Sequence, residues 1–577
     1  MKKLLAFILI TLLTVTFVGC DFFGTTTDAT GATTETTVEA TLEASTSEEI
    51  TTSIISTTEG QTTIHQTTTT EAQTTIHQTT TTEERTTTTE PQTTTTEDIN
   101  PIVEIDFYSM NDFHGGTYSD ISYLSYIGGY MKSKAEAGEN QVIVASGDIF
   151  QGTALSNYYY GEPIVEVYNN IGFDGFALGN HEFDWGIDKI TRYRDGDLDN
   201  GEMDYPLLAA NIVYQDSGEP LENTIPYIVK EFNGVKVGVI GLIGQLENSI
   251  SASRLINIEF TDPGDSVYYY SDILRTDEDC DIVVVYIHNG SGINSEIANF
   301  TDTHYVDAIF NGHSHSNEAY SINRSTGQPL VYAQASNRDT SLFAHISLTY
   351  NKDLGEVTSA SSNVLGWYDV NSYFDQDIDD IITLFEEDPV YSTFVSEELT
   401  YVDDIYGKYD LSEWASSVIR DYVGIDVGAV NTGGFRNSMY EGILTMGDMI
   451  EIYPFDNFIK TCTMNGYDLK DLIDDLTSDG VVFDDSTYIS SGTLYVNGVV
   501  ADLSATYTVG AVDYIFDKDY YGFLDGDNIT LTPYLMRDLL VEDLRNKTGN
   551  FNPNNGTSYI MLPNINLNEE LKRWIFA

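Results

Sequence analysis

The stretch Val103-Glu104-Ile105-Asp106-Phe107-Tyr108-Ser109-Met110-Asn111-Asp112-Phe113-His114 decides the fold of this chain. Apolar and aromatic side chains dominate its first part, as a buried strand requires, and Asp112 and His114 follow just beyond it. Residues two apart in extended chain point the same way, so both are expected to reach one ion. The pattern recurs along the chain. Val142-Ile143-Val144-Ala145-Ser146 delivers Gly147-Asp148, the run Cys280 to Ile287 delivers His288-Asn289, and the run Val306 to Asn311 delivers Gly312-His313-Ser314-His315. Gly179-Asn180-His181-Glu182 is a further cluster of the same kind. Such runs suit strands buried on both faces, whose carboxyl ends are where open α/β sheets place ligands.

Two ions close together need a ligand able to bridge them. Asp148, in a Gly-Asp turn, fits that role because a carboxylate has two oxygens and a full charge to offset divalent repulsion. Imidazoles at His114, His288, His313 and His315 add donors of intermediate hardness, and Asn180 offers an amide oxygen. Zinc or manganese suits this set better than magnesium, which prefers oxygen donors and retained water. A water or hydroxide held between two such ions is the expected nucleophile toward a phosphoryl group. The histidine census supports one site: of nine histidines, five lie in these clusters and His65 and His77 lie in a polar repeat. His304 and His345 are expected at the surface or as satisfied core residues.

The strings NDFHGG (111–116), SGDIFQGTALS (146–156), GFDGFALGNHEFDWG (172–186), YIHNG (286–290) and NGHSHS (311–316), with NTGGFRNSMYEGILTMGDMIEIYPFDN (431–457), resemble the 5'-nucleotidase family of calcineurin-like metallophosphoesterases. The resemblance covers roughly residues 103–540. It implies an α/β and α+β fold: a four-layer α/β/β/α metallophosphoesterase domain, a linking helix, and a C-terminal mixed α/β substrate-binding domain. It further implies one ion on Asp112, His114, Asp148 and His315, and another on Asp148, Asn180, His288 and His313. His181 and Asp184 match the family's catalytic dyad, in which a carboxylate orients an imidazole facing phosphate and raises its basicity. Asn431, Gly434 and Arg436 are expected near the substrate's polar groups, since a guanidinium offers fixed multiple donors to phosphate or ribose. Phe455 and Tyr514 are expected as two walls of a nucleobase slot.

Departures from the family fall on specificity. The family's Gly-Gly-Asp-Gly-aromatic segment appears here as Asp519-Tyr520-Tyr521-Gly522-Phe523, leaving Phe516 as a rival to Tyr514 and the expected acidic contact either lost or moved to Asp519. A Gly-Asn pair of the family is replaced near Leu411-Ser412-Glu413-Trp414.

The amino-terminal part sets the expected location. Met1-Lys2-Lys3 precedes an apolar run to Val18, short for a transmembrane span and suited to a signal peptide over 1–19. Cys20, after Gly19, resembles a bacterial lipoprotein acylation site, so lipid anchoring at the outer face of the membrane is expected, with a secreted form as the alternative. Residues 20–100 are Thr-rich and carry the repeat QTTIHQTTTTEA (61–72), QTTIHQTTTTEE (73–84). Such composition buries too little surface to offset chain ordering, which points to a flexible stalk. The catalytic domain is expected over 101–365, a linker whose helix includes Ile378 to Glu387 over 366–404, and the substrate domain over 405–577. Cys280 and Cys462 sit in separate expected domains and imply no disulfide framework.

The formal charge of −64 argues against a nucleic-acid polymer as partner, because such binding uses lysine and arginine to neutralise phosphates. A small nucleotide remains compatible, since bound ions invert the local field. The expected activity is release of phosphate from nucleoside 5'-monophosphates, and from di- or triphosphates by extension. Nucleotide-sugar hydrolysis, 2',3'-cyclic phosphodiester hydrolysis and a catalytically weak surface binding or adhesion role are the alternatives. Oligomeric state is not legible.

Overall fold

The computed structural model describes residues 100–553, apart from 117–120, 199–200, 326, 336–341 and 548, together with three strands between residues 38 and 67. They belong to two compact units, Met1–Thr95 and Thr96–Ala577. In the first, Val38–Leu42, Ile50–Ser56 and Thr62–Thr67 pair as an antiparallel sheet with Ile54 opposite Ile64. Where composition pointed to extended chain, β-branched Thr and Ile supply strand propensity over these spans. The segment expected as a signal peptide, Cys20, His77 and the rest of the Thr-rich segment lie outside the described residues.

The second unit begins as two sheets packed face to face. One has seven strands in the order Glu356–Gly366, Leu342–Asn351, Ile102–Met110, Gln141–Ser146, Gly175–Ala177, Leu207–Leu208, Thr224–Ile225. The other has six: Tyr227–Phe232, Val235–Ile243, Ile282–His288, Ala308–Phe310, Leu330–Gln334, Glu318–Ile322. Side-chain alternation explains the layers. Val142 and Val144 point into the space between the sheets with Phe107, Val237, Val239, Ile282 and Val284. Their neighbours Ile143 and Ala145 point outward, against the helices Leu124–Glu136 and Glu162–Ile171. On the other side Val283 and Val285 pack outward against Val267 and Leu274 of the helix Pro263–Thr276. The result is the expected α/β/β/α stack. Its central strands need apolar residues at consecutive positions because both faces are covered.

The linking helix spans Gln376–Glu386 and is capped by Asp375, whose carboxylate accepts from the Ile378 N–H at 3.1 Å. Its Ile378 and Ile382 are buried in the outer core of the first domain, so the helix is packed rather than free. Beyond it, a mixed sheet orders Val481–Phe483, Val427–Asn431, Thr506–Val512, Phe458–Asn465 and Asp527–Leu535. Val427–Asn431 and Thr506–Val512 run parallel, so Asn431 and the residues after Val512 emerge at the same end. Cys280 and Cys462 are both buried free thiols.

Phe107 is fully buried between the two sheets of the first domain. Replacing it with alanine is expected to cost about 3–5 kcal/mol of unfolding free energy, read from the midpoint of a denaturant titration. A midpoint unchanged from wild type would mean that the inter-sheet layer does not hold the fold together.

Candidate metal centre and adjoining cleft

Parallel pairing puts the candidate ligands at one edge. Ile102–Met110, Gln141–Ser146 and Gly175–Ala177 run parallel, as do Ile282–His288 and Ala308–Phe310 in the facing sheet. Their carboxyl ends carry Asp112, Asp148, Asn180, His288 and His313. The sequence argument for Asp112 and His114 needs correction here: they do not converge through extended-chain alternation. Asp112 (φ 51°), His114 (φ 50°), Asp148 (φ 55°), His313 (φ 73°) and His315 (φ 50°) all adopt the left-handed backbone. That conformation is unfavourable for side chains bearing a Cβ and concentrates at functional sites. It turns three tight loops inward, those carrying Asp112 and His114, Asp148, and His313 and His315. Gly147 (φ +81°) is needed for a further reason, since a Cβ there would lie 2.6 Å from both Gly179 N and His288 Nδ1.

Three groups of donors converge: Asp112, His114 and His315; His114, Asp148 and His181; Asp148, His288 and His313, with ligand atoms within 4.8 Å in each. Asp148 thus joins two of the groups, as a bridging carboxylate must. His114 Nε2 faces His315 Nε2 at 3.3 Å, and His315 Nε2 lies 3.4 Å from Asp112 Oδ1. His288 Nε2 lies 3.0 Å from Asp148 Oδ2 and 3.2 Å from Asn180 Oδ1, while His313 Nδ1 lies 2.9 Å from Asn180 Oδ1. Two facing imidazole nitrogens and several converging oxygens suit a cation between them.

The ring nitrogens turned away from the centre have orienting partners. His114 Nδ1 is 3.1 Å from the Gln151 carbonyl and His288 Nδ1 is 2.7 Å from the Ser146 carbonyl. A carbonyl only accepts, so each Nδ1 carries a proton, which makes Nε2 the atom that faces the centre. Burial pushes His313 and His315 down to about 4 and His114 well below its ordinary value. These rings are neutral donors at physiological pH. Burial also opposes charge on His288, but the adjacent Asp148 outweighs it and holds that imidazole near 9. Burial pushes Asp112 up to about 7, against the pull of His288, so two buried carboxylates here call for added positive charge.

His181 stands at the margin. Its Nδ1 is 2.6 Å from Asp184 Oδ2, and its Nε2 is 4.0 Å from Asp148 Oδ2. Burial opposes its charge, but Asp184 and Asp148 outweigh that and raise its pKa. His181 and Asp184 line a cavity of about 290 Å³ together with Asp148, Asn180, His313 and His315.

The opposite wall comes from the second domain and includes Asn431, Gly434, Arg436, Phe455 and Tyr514. All five expected substrate-contacting residues therefore share the cavity with the donor cluster. Arg436 lies 5.5 Å from the Phe455 ring centroid, and the His181 and Phe455 rings are 6.0 Å apart. Gly434 lacks a side chain where a Cβ would meet the Tyr453 ring at 2.8 Å. Of the two rival aromatics, Tyr514 lines the cavity, whereas Phe516 is fully buried and stacks on Phe523 at 5.5 Å. Asp519 is exposed and does not line the cavity. Asp513 sits closer: its carboxylate accepts from Asn457 Nδ2 at 2.9 Å and from Ser253 Oγ at 3.3 Å. His304 and His345 are structural, the first stacked on Tyr268 at 3.4 Å, the second 2.8 Å from Asp106.

Residues 106–317 match the calcineurin-like phosphoesterases, and residues 397–523 match the 5'-nucleotidase C-terminal domain. The chain is a calcineurin-like phosphoesterase with a 5'-nucleotidase C-terminal domain. It is 28% identical to Endonuclease YhcR of Bacillus subtilis over 412 residues, 64% of this chain and 32% of that protein. The phosphoesterase thus spans about a third of that relative's length, 32%. It is 26% identical to the apyrase of Tabanus yao over 414 residues, 62% of this chain and 70% of that one. Among solved structures, the 5'-nucleotidase precursor from Thermus thermophilus superposes with a TM-score of 0.60 at 18% identity, covering 77% of this chain and 96% of its own. That likeness shows a shared fold. With the donor triads, these domains make the chain a metal-dependent phosphohydrolase whose centre is consistent with two divalent ions.

The sequence reading passed over Glu182, though it stands in the quoted Asn180-His181-Glu182 string. It is fully buried, and its carboxylate accepts from the N–H groups of Asp148 (2.8 Å), Ile149 (2.9 Å) and Gly179 (2.7 Å). It ties the turn that presents Asp148 to the turn that presents Asn180. Ser251 and Arg254, also on the cavity wall, come from a loop with no periodic signal. Glu182→Gln replaces one acceptor oxygen with a donor facing backbone N–H groups. Metal affinity of the phosphoesterase is then expected to fall about 10–100-fold, measured by competition with a chelating indicator. Unaltered affinity would mean that the two turns hold their positions without Glu182.

Proposed function

We propose that this phosphoesterase releases phosphate from nucleoside 5'-monophosphates, and from di- and triphosphates, outside the cell. The observation that carries the proposal is the shared cavity, in which the donor cluster forms one wall and Arg436, Phe455 and Tyr514 form the other. Asp112, His114, Asp148 and His315 would hold one divalent ion, and Asp148, Asn180, His288 and His313 the second, with zinc or manganese best suited to the donors. When bound, such ions supply a nucleophilic water at neutral pH and offset the charge that grows on the phosphoryl oxygens.

The chain's own residues do the rest. Asp184 accepts from His181 Nδ1, which fixes the ring's orientation and leaves Nε2 facing the cavity. A charged His181 stabilises negative charge on the phosphate and can pass its proton to the leaving oxygen. Arg436 and Asn431 supply donors to phosphate or ribose, beside the open backbone at Gly434. Phe455 and Tyr514 take the flat faces of the base, which gives affinity with limited discrimination among bases. The likeness to an apyrase supports the wider range of phosphate-chain lengths. Cys20 as an acylated residue, with the Thr-rich segment as a spacer, would place the enzyme on the outer face of the membrane.

The purified protein is expected to release phosphate from AMP when supplied with Zn²⁺ or Mn²⁺ and to lose that activity on chelation. A panel of ADP, ATP, a nucleotide sugar, a 2',3'-cyclic nucleotide and single-stranded DNA sorts the alternatives, including the one raised by the endonuclease relative. Turnover confined to any of the last three would contradict the proposal.

His181→Asn is expected to retain both ions and to lower turnover by about 10²–10⁴-fold. Asp148→Asn is expected to lower occupancy of both ion positions, because the shared negative charge is lost at nearly constant side-chain size. Metal analysis beside steady-state rates separates the two. Equal metal loss in both variants would make His181 a ligand, a reading to which its place beside His114 and Asp148 gives geometric substance.

A further inference from the structure

Lys518 directly precedes Asp519–Phe523, the segment that departs from the family pattern. Lys518 is only 6% exposed. Its ammonium lies 3.3 Å from the Tyr514 ring centroid and donates to the backbone carbonyl of Asn248. Asn248 belongs to the 3-10 turn Glu247–Ser249 of the first domain, and the next residue, Ser249, lines the cavity. Tyr514 also lines the cavity, whereas Lys518 does not. The cation therefore lies behind the aromatic wall and reaches across the seam between the domains.

We infer that Lys518 is a positioning residue that fixes the Tyr514 ring for nucleobase binding and registers it against the catalytic domain. The inference rests on the proposed nucleotide substrate. A buried ammonium is costly unless partnered, so its contacts with the ring face and the Asn248 carbonyl restrain the ring. Burial lowers the Lys518 pKa to about 8, in keeping with an ammonium held largely out of water. A tyrosine at the mouth of a cleft would otherwise spread over several rotamers, and a base stacking on it would have to meet that ordering cost. The seam around it is polar: Asn457 Nδ2 donates to Ser251 Oγ at 3.3 Å, and Arg254 Nη2 to the Asp456 carbonyl at 3.4 Å. Within this seam, Lys518 bears directly on Tyr514, a proposed base wall.

The test compares two probes on metal-loaded, full-length protein by calorimetry: adenosine, which needs the aromatic slot, and inorganic phosphate, which does not. Lys518→Met is expected to weaken adenosine binding by roughly 2- to 30-fold while phosphate affinity stays the same. Lys518→Arg, which keeps a cation over the ring, is expected to restore most of the loss. In a Tyr514→Leu background the Lys518→Met effect is expected to vanish. Should Lys518→Met fail to fold, Lys518→Gln, which keeps a donor toward Asn248 without the charge, carries the same comparison. Unchanged adenosine affinity, equal weakening of both probes, or an effect that persists without Tyr514 would each overturn the inference, as would wild-type protein that binds no adenosine. Wild-type protein that binds adenosine yet releases no phosphate from AMP would sink the proposed function and leave this inference standing.

Discussion

The site depends on one buried carboxylate holding two turns together. Glu182 accepts from four backbone N–H groups, those of Asp148, Ile149, Phe150 and Gly179, and so fixes the distance between the loops that end two adjacent strands. Asp148 can then face both His288 and the His114 side of the cluster. Asp112 and His114 are tied to the same turn, their N–H groups donating to the carbonyls of Gly147 at 3.0 Å and Asp148 at 3.1 Å. His313 donates its backbone N–H to both oxygens of Asp112 at 3.0 Å, which links the last ligand loop in the chain to the first. The loops are therefore cross-braced before any ion is considered.

The left-handed backbone at five of the candidate ligands follows from this convergence. Strands in parallel sheets end about 4.8 Å apart, so donors from neighbouring strands would point along parallel lines if each loop simply continued. Turning them toward a common point requires sharp reversals within one or two residues. Gly147 and Gly115 absorb part of that strain without a Cβ, and Asp112, Asp148 and the histidines bear the remainder. Such strain persists when surrounding structure over-determines the loop, and here the apolar layers on both faces of the sheets do so. Stability of the sandwich and geometry of the metal centre are in this sense one problem.

The fold and the convergence of candidate donors were legible because they rest on simple patterns. Apolar runs such as Val142–Ser146 followed by a single acid or imidazole mark a covered strand and its loaded end, and the quoted strings carried the family resemblance. Local geometry was less legible. The two-residue spacing of Asp112 and His114 invited an extended-chain reading, yet backbone handedness, which spacing does not encode, brings them together. Glu182 was passed over because its partners are backbone groups, which leave no mark on the residue string. Tyr514 and Phe516 could not be separated by composition, since both are aromatic and two apart; the short helix Asp513–Phe516 turns one to the cavity and the other to the core. Arg254, Lys518 and Asp513 became visible only when the two domains met along the cleft.

The central claim is that the strand-end loops build one centre for two ions, with His181 beside it and outside the coordination. Anomalous diffraction from crystals grown with zinc tests this most directly. The account predicts two peaks, one among Asp112, His114, Asp148 and His315 and one among Asp148, Asn180, His288 and His313, with Asp148 touching both. A single peak, or a zinc ion coordinated by His181, would contradict it.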